Sequence, residues 1–167
     1  SVWDENALGW VSGRYGDFAS IQSGVVANAP FPGLAGAWIG GIEPGQTINY
    51  IESHDNTTFA DKLRSSMGRT LPMTTIAKVS KLGTGMLFVS QGVPFIQAGQ
   101  EFLRSKNFEK NSYNLTDSVN SLKWGNRITY ASNVSYLKGL LAIRKAHKAF
   151  RIPEAQKIVD NLTFLDG

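Results

Sequence analysis

The chain is 167 residues long, with 42% hydrophobic residues, a formal net charge of +4 and no cysteine, which is one domain's worth of sequence with enough apolar content for a sizeable core. No apolar run reaches the roughly 18–20 residues of a membrane-spanning helix, and without cysteine there are neither disulfides nor thiolate metal sites. The basic excess does not point to nucleic acid, because residues 1–46 hold one basic and four acidic side chains and the tightest basic group, Arg144, Lys145, His147, Lys148 and Arg151, falls in the last turns of a predicted helix, where cations suit the dipole.

Ser1-Val2-Trp3-Asp4 begins without Met and in mid-pattern, so more chain is expected upstream and localisation stays open. Nine of the 17 glycines fall in the first 45 residues with Pro30, Pro32 and Pro44, a loop composition broken by one helical pattern at 17–28. The run "TINYIES", 47–53, reads as a strand buried on both faces. A short helix is expected at 57–66. Pro72 then opens a longer helical pattern through Met73, Ile76, Val79, Leu82 and Met86, with Gly92 as its stop. Gly83 and Gly85 inside that helix cost about 1 kcal/mol each relative to Ala, so close packing against a sheet is expected there. "VPFIQAG", 93–99, reads as a second buried strand, and strand, helix, strand in this order is a parallel βαβ unit. A polar, Asn-rich loop at 107–126 and an amphipathic helix near 133–149 follow. The tail "FRIPEAQKIVDNLTFLDG" reads as a linker and the start of something else. Two strands do not close a sheet by themselves, so the unit is expected to be incomplete.

In parallel α/β folds the functional groups sit at the carboxyl ends of strands. Here those ends carry Glu52, His54, Asp55 and Asn56, and then Gln97, Gln100 and Glu101. An ionised Asp beside a neutral His and an amide can stabilise developing positive charge and hold sugar hydroxyls, as cleavage through an oxocarbenium-like transition state requires. Taken alone, His-Asp-Asn is more often a turn or a cap. With two histidines and no cysteine, no metal-ligand spacing occurs, and no metal or cofactor is expected. The glycines at 83, 85, 92 and 99 make no phosphate loop. Trp38 and Trp124 read equally as sugar platforms or as packing.

The motifs "INYIESHDN", "GVPFIQAGQEF" and "NSYNLTDSVNSLKW" together resemble, in order and spacing, the last third of the catalytic barrel of the α-amylase superfamily of glycoside hydrolases, and most of all the type I pullulanases. The resemblance runs from "SVWDENALGWVSG" to "FRIPEAQKIVDNLTFL". It implies an α/β, helix-rich fragment of a (β/α)8 TIM barrel with two parallel strands, from about the sixth to the eighth helix. On that basis residues 1–150 belong to the partial barrel, and 151–167 to a linker leading into a C-terminal β-domain.

The resemblance also implies roles. Asp55 matches the family's third catalytic carboxylate, which orients the sugar and stabilises the transition state. His54 matches the histidine at the cleavage subsite, while Asn56, Asn111, Tyr113 and Asp117 fall on segments that line the substrate groove. Glu101 reads as a substrate contact, as a partner of Arg104 or as a hydrogen bond closing the strand end. The implied parent is a retaining hydrolase of α-1,6 bonds in pullulan, glycogen or limit dextrins, with an α-glucan as its partner and neither nucleic acid nor a membrane. The family's nucleophilic Asp and acid/base Glu follow earlier strands, and no D-x-x-x-N-H or G-E-x-W stretch occurs here, so this chain alone is expected to be inactive. A half-open barrel is also expected to self-associate. The alternatives are another hydrolase or transferase of the superfamily, or a non-catalytic helical interaction module.

Overall fold

Ile48 and Asn49 form β1 (Ile48–Asn49), which pairs in parallel with β2 (Val93–Pro94) in the register Ile48↔Val93 and Asn49↔Pro94. The computed structural model describes residues 8–14, 16, 18–34 and 43–165. Trp38 and most of the opening segment "SVWDENALGWVSG" lie outside the described residues. The helices in chain order are α1 (Phe18–Val25), α2 (Phe59–Met67), α3 (Met73–Val89), α4 (Asp117–Asn120), α5 (Asn126–Thr129), α6 (Ala131–Ala146) and α7 (Ala155–Asn161). The β1–α2–α3–β2 order is the parallel crossover expected from the sequence.

Helices α2 and α3 start where their residue chemistry allows. Thr58 caps α2, its Oγ1 accepting from the backbone N–H of Asp61 at 3.2 Å. Pro72 occupies the N-cap of α3, one residue before the helical turn in which it was expected. Phe59 and Leu63 from α2 meet Ile76 of α3, while Leu87 and Phe88 of α3 meet Leu137 of α6, with Ile51 packed against both clusters. Helix α3 thus packs against both α2 and α6, with Ile51, just past β1, at the junction.

Two expectations need correction. The strands at 47–53 and 93–99 shrink to the residues of β1 and β2, and neither is buried on both faces: Ile48 is 61% exposed and Phe95 44%. Among the described residues each strand pairs only with the other, so one edge of each ladder has no neighbour to hold its backbone extended. Gly83 and Gly85 do sit at close approaches, but against helices and not a sheet. A Cβ at 83 would lie 2.7 Å from Phe59 Cζ, and one at 85 would lie 2.5 Å from Tyr136 Oη. In the tail, α7 buries Ala155 and Ile158 against Val26 and Ala29, with Phe31 and Phe164 edge-on at 5.3 Å.

Candidate functional site

Past β1 the chain leaves the ladder and turns through residues 54–56, with Asn56 in the left-handed region at φ 62°, a conformation that Asn tolerates better than most residues. The turn presents His54 and Asp55 to solvent side by side. His54 Nε2 lies 3.5 Å from Asp55 Oδ1, and the two side chains are 86% and 73% exposed. A carboxylate and an imidazole held this way offer an acceptor, a donor and a negative charge to a polyhydroxylated ligand. Asn56, half-buried, flanks them. The structure therefore brings His54, Asp55 and Asn56 together at the carboxyl end of β1.

It places the other candidates on a separate stretch. Asn111, Tyr113 and Asp117 are exposed, Tyr113 by 82%, and among the described residues none shares a hydrogen bond with residues 54–56. Their loop is organised by Asn120 at the end of α4. The Asn120 Nδ2 group donates to the carbonyls of Ser112 at 2.6 Å and Leu115 at 2.9 Å, and its own carbonyl accepts from Arg104 Nη2 at 2.6 Å. Glu101 turns back on its own segment, its Oε2 accepting from the N–H of Gly99 at 3.1 Å. Trp124 leans on Phe102 with centroids 5.8 Å apart and remains 60% exposed.

Beneath the exposed turn lies a buried ionic layer of which sequence reasoning picked out Glu52 alone. Asp61 is fully buried and receives hydrogen bonds from Ser105 Oγ at 2.6 Å, the N–H of Lys106 at 2.8 Å and the N–H of Phe108 at 3.2 Å. Lys106, 1% exposed, sends its ammonium to the carbonyl of His54 at 2.9 Å. Burial lowers its pKa, as does Arg104 nearby, while Glu52, Asp55 and Asp61 oppose the shift. Glu52 accepts from the N–H of Phe59 at the start of α2, and its second oxygen has no protein partner. One signal was available for Asp61: it stands three residues after the capping Thr58, the position where an acidic side chain serves a helix start.

Burial raises the Glu52 pKa from its ordinary 4.5 to about 7, against the pull of the Phe59 N–H and of Arg104. A raised acid favours the folded state in its neutral form. Its contribution is therefore complete below pH 4.5 and is lost as pH rises through about 7. The interval corresponds to about 3 kcal/mol. Melting temperature is expected to fall over that window, and Glu52→Gln is expected to remove most of the slope. A variant with the same pH profile as the unsubstituted chain would refute this assignment.

Among the described residues no group of acidic, histidine or cysteine side chains is arranged to hold a metal ion, and no helix is long and apolar enough to cross a membrane. No protein-family model matches the sequence. Individual proteins do. A pullulanase of Bacillus subtilis strain 168 is 36% identical over 159 residues, covering 95% of this chain and 22% of that protein. An isoamylase of a Flavobacterium species is 40% identical over 74 residues, 44% of this chain and 10% of that protein. Among solved structures, pullulanase type I from Bacillus subtilis strain 168 complexed with maltose superposes with a TM-score of 0.92 at 35% identity, covering 99% of this chain and 23% of that one. The pullulanase of Paenibacillus barengoltzii in complex with maltohexaose and α-cyclodextrin gives a TM-score of 0.92 at 34% identity, over 100% of this chain and 25% of that one. The chain thus spans about a quarter of the length of these pullulanases.

Proposed function

We propose that this chain, a segment of the pullulanase family, forms one wall of the active site of a retaining α-glucan debranching hydrolase that cleaves α-1,6-glucosidic bonds in pullulan, glycogen or limit dextrins. In this reading residues 1–150 run from about the sixth to the eighth helix of a (β/α)8 barrel, and 151–167 lead through α7 toward a C-terminal β-domain. The observation that carries the reading is the His54-Asp55-Asn56 turn at the carboxyl end of a parallel strand, in a fold that matches pullulanases over nearly its whole length.

The turn is open to a ligand, and the resemblance assigns the roles. Asp55 orients the sugar and stabilises the oxocarbenium-like transition state; His54 donates to a hydroxyl of the same ring; Asn56, Asn111, Tyr113 and Asp117 contact neighbouring glucose units. A retaining mechanism places its nucleophile and its acid/base about 5–5.5 Å apart across the scissile bond. The resemblance assigns that pair to earlier strands of a longer protein. The isoamylase match fits the same debranching class, and a related superfamily hydrolase with another linkage preference is the second reading.

The test compares the 167-residue chain with the longer protein that carries it. The longer protein is expected to release reducing sugar from pullulan with retained anomeric configuration, and the chain alone to release none. Its exposed residues Ile48, Tyr50, Val93 and Phe95, in and beside the strand pair, are expected to drive self-association, seen as light scattering that grows with concentration. Hydrolysis by the chain alone, abolished by Asp55→Ala, would move the whole catalytic apparatus into this segment and overturn the proposal. Activity of the longer protein on α-1,4 but not α-1,6 bonds would favour the second reading.

A further inference from the structure

We infer that Lys106 is a positioning residue, the head of a strained brace that holds the His54-Asp55-Asn56 turn in its working geometry; the inference rests on the functional reading of that turn.

The brace is the stretch 103–108. Three non-glycine residues in it take the left-handed region, Leu103 at φ 56°, Asn107 at φ 55° and Phe108 at φ 66°. Asn adopts that conformation with little difficulty, but Leu and Phe do so only when their surroundings over-determine it. Two sets of contacts supply the constraint. The buried Asp61 carboxylate gathers the Ser105 hydroxyl and the N–H groups of Lys106 and Phe108, so α2 fixes the path of the turn. The Phe108 ring lies beneath the guanidinium groups of Arg69, 4.1 Å from its centroid, and Arg64, 4.8 Å away. From this fixed turn Lys106 reaches back across 52 positions of sequence to the His54 carbonyl at 2.9 Å.

That hydrogen bond acts on the backbone of the residue whose side chain, with Asp55, faces solvent. Among the described residues the exposed pair itself has only the contact between His54 and Asp55. Without the ammonium, the His54 carbonyl loses its donor and the turn gains freedom in the direction that matters for sugar orientation. Misplacing a catalytic group by about 1 Å can cost on the order of a hundredfold in rate.

The experiment uses the full-length protein with Lys106→Met, which keeps the stem and removes the donor, and Phe108→Leu, which removes the ring between the two arginines and keeps Lys106. Lys106→Met is expected to lower kcat on pullulan by about a hundredfold with little change in KM, and Phe108→Leu to lower it less. Backbone hydrogen exchange at residues 54–56 is expected to rise in both variants while α3 stays protected. Unchanged exchange at 54–56 in a folded variant overturns the brace, as does an equal rise throughout α2 and α3, which marks general destabilisation. If Lys106→Met does not fold, the Phe108→Leu exchange pattern decides. An unsubstituted protein inactive on pullulan would refute the functional reading, and the exchange comparison would still decide the brace.

Discussion

Asp55→Asn in the full-length protein is expected to lower kcat on pullulan by about a thousandfold or more, with KM changed only slightly. Asparagine keeps the size of the side chain and one acceptor oxygen, so the bound sugar keeps most of its ground-state contacts. What disappears is the negative charge. In the reading advanced above, that charge matters most when the anomeric carbon becomes cationic, and an interaction made mainly in the transition state is lost from kcat and kcat/KM together. The exposure of the side chain, 73%, does not weaken the argument. In that reading a bound glucan covers the site and excludes water, and a charge fixed in a water-poor site interacts more strongly than one in bulk solvent. Steady-state kinetics on pullulan check the prediction. Near-normal kcat with a raised KM would make Asp55 a sugar-binding residue and nothing more, and near-normal values of both would remove it from the site.

The helices α1, α2, α3 and α6 were legible because their signals are local. Thr58 ahead of Phe59, Pro72 ahead of Met73, and apolar residues at helical spacing through Ile76, Val79 and Leu137 all concern neighbours within a turn or two. The strands were overcalled for the opposite reason. "TINYIES" has the composition of a strand flanked on both sides, and with β2 as its one partner the hydrogen-bonded part ends at Asn49. Gly83 and Gly85 told of a close approach without naming the neighbour, because a missing Cβ says only that space is short. In the tail, read as a linker, Ala155, Ile158, Val159 and Leu162 stand at helical spacing and pack as α7.

The site divides along the same line. His54 and Asp55 stood out through the motif, at the strand end where parallel folds keep their chemistry. The ionic layer below them did not, since Asp61 in "FADKL" and Lys106 in "LRSKN" look like ordinary solvated charges. Only the fold reveals that they are buried and that they meet. Charged residues are almost never buried without partners, and here the partners lie 45 and 52 positions apart in sequence. No local pattern carries that information.

Arg144 is the same kind of residue on the opposite side of α3, and its replacement is expected to have the largest effect on stability. Although it stands in the basic run read as a solvated helix end, it is 8% exposed. Its guanidinium donates to the carbonyls of Phe88 at 2.8 Å, Ser90 at 2.7 Å and Gly92 at 2.6 Å. These oxygens lie at the C-terminal end of α3 and on the approach to β2, where the helix leaves its last carbonyls unpaired and the dipole favours a cation. One side chain on α6 therefore closes α3, sets the direction of the chain into β2 and ties both to a third element. Burial lowers the Arg144 pKa, and so does the neighbouring Arg151. Arg151 in turn donates to the carbonyls of Arg144 and Lys145, both at 2.9 Å, closing α6 in the same manner. Arg144→Met preserves the bulk of the stem and strands the acceptors. Orphaned buried groups cost about 1–3 kcal/mol each, and relaxation toward water recovers part of that, so the net loss is roughly 3–5 kcal/mol. For a chain of this size such a loss lowers Tm by roughly 10 °C. Arg144→Lys retains the charge but not the planar fork that serves several acceptors at once, and is expected to fall between the two. Thermal melts followed by circular dichroism separate the cases. A Met variant that melts within about 2 °C of the unsubstituted chain would mean that water satisfies these carbonyls as well as arginine does, and that the junction of α3, β2 and α6 is held by the packing of Leu87, Phe88 and Leu137 alone.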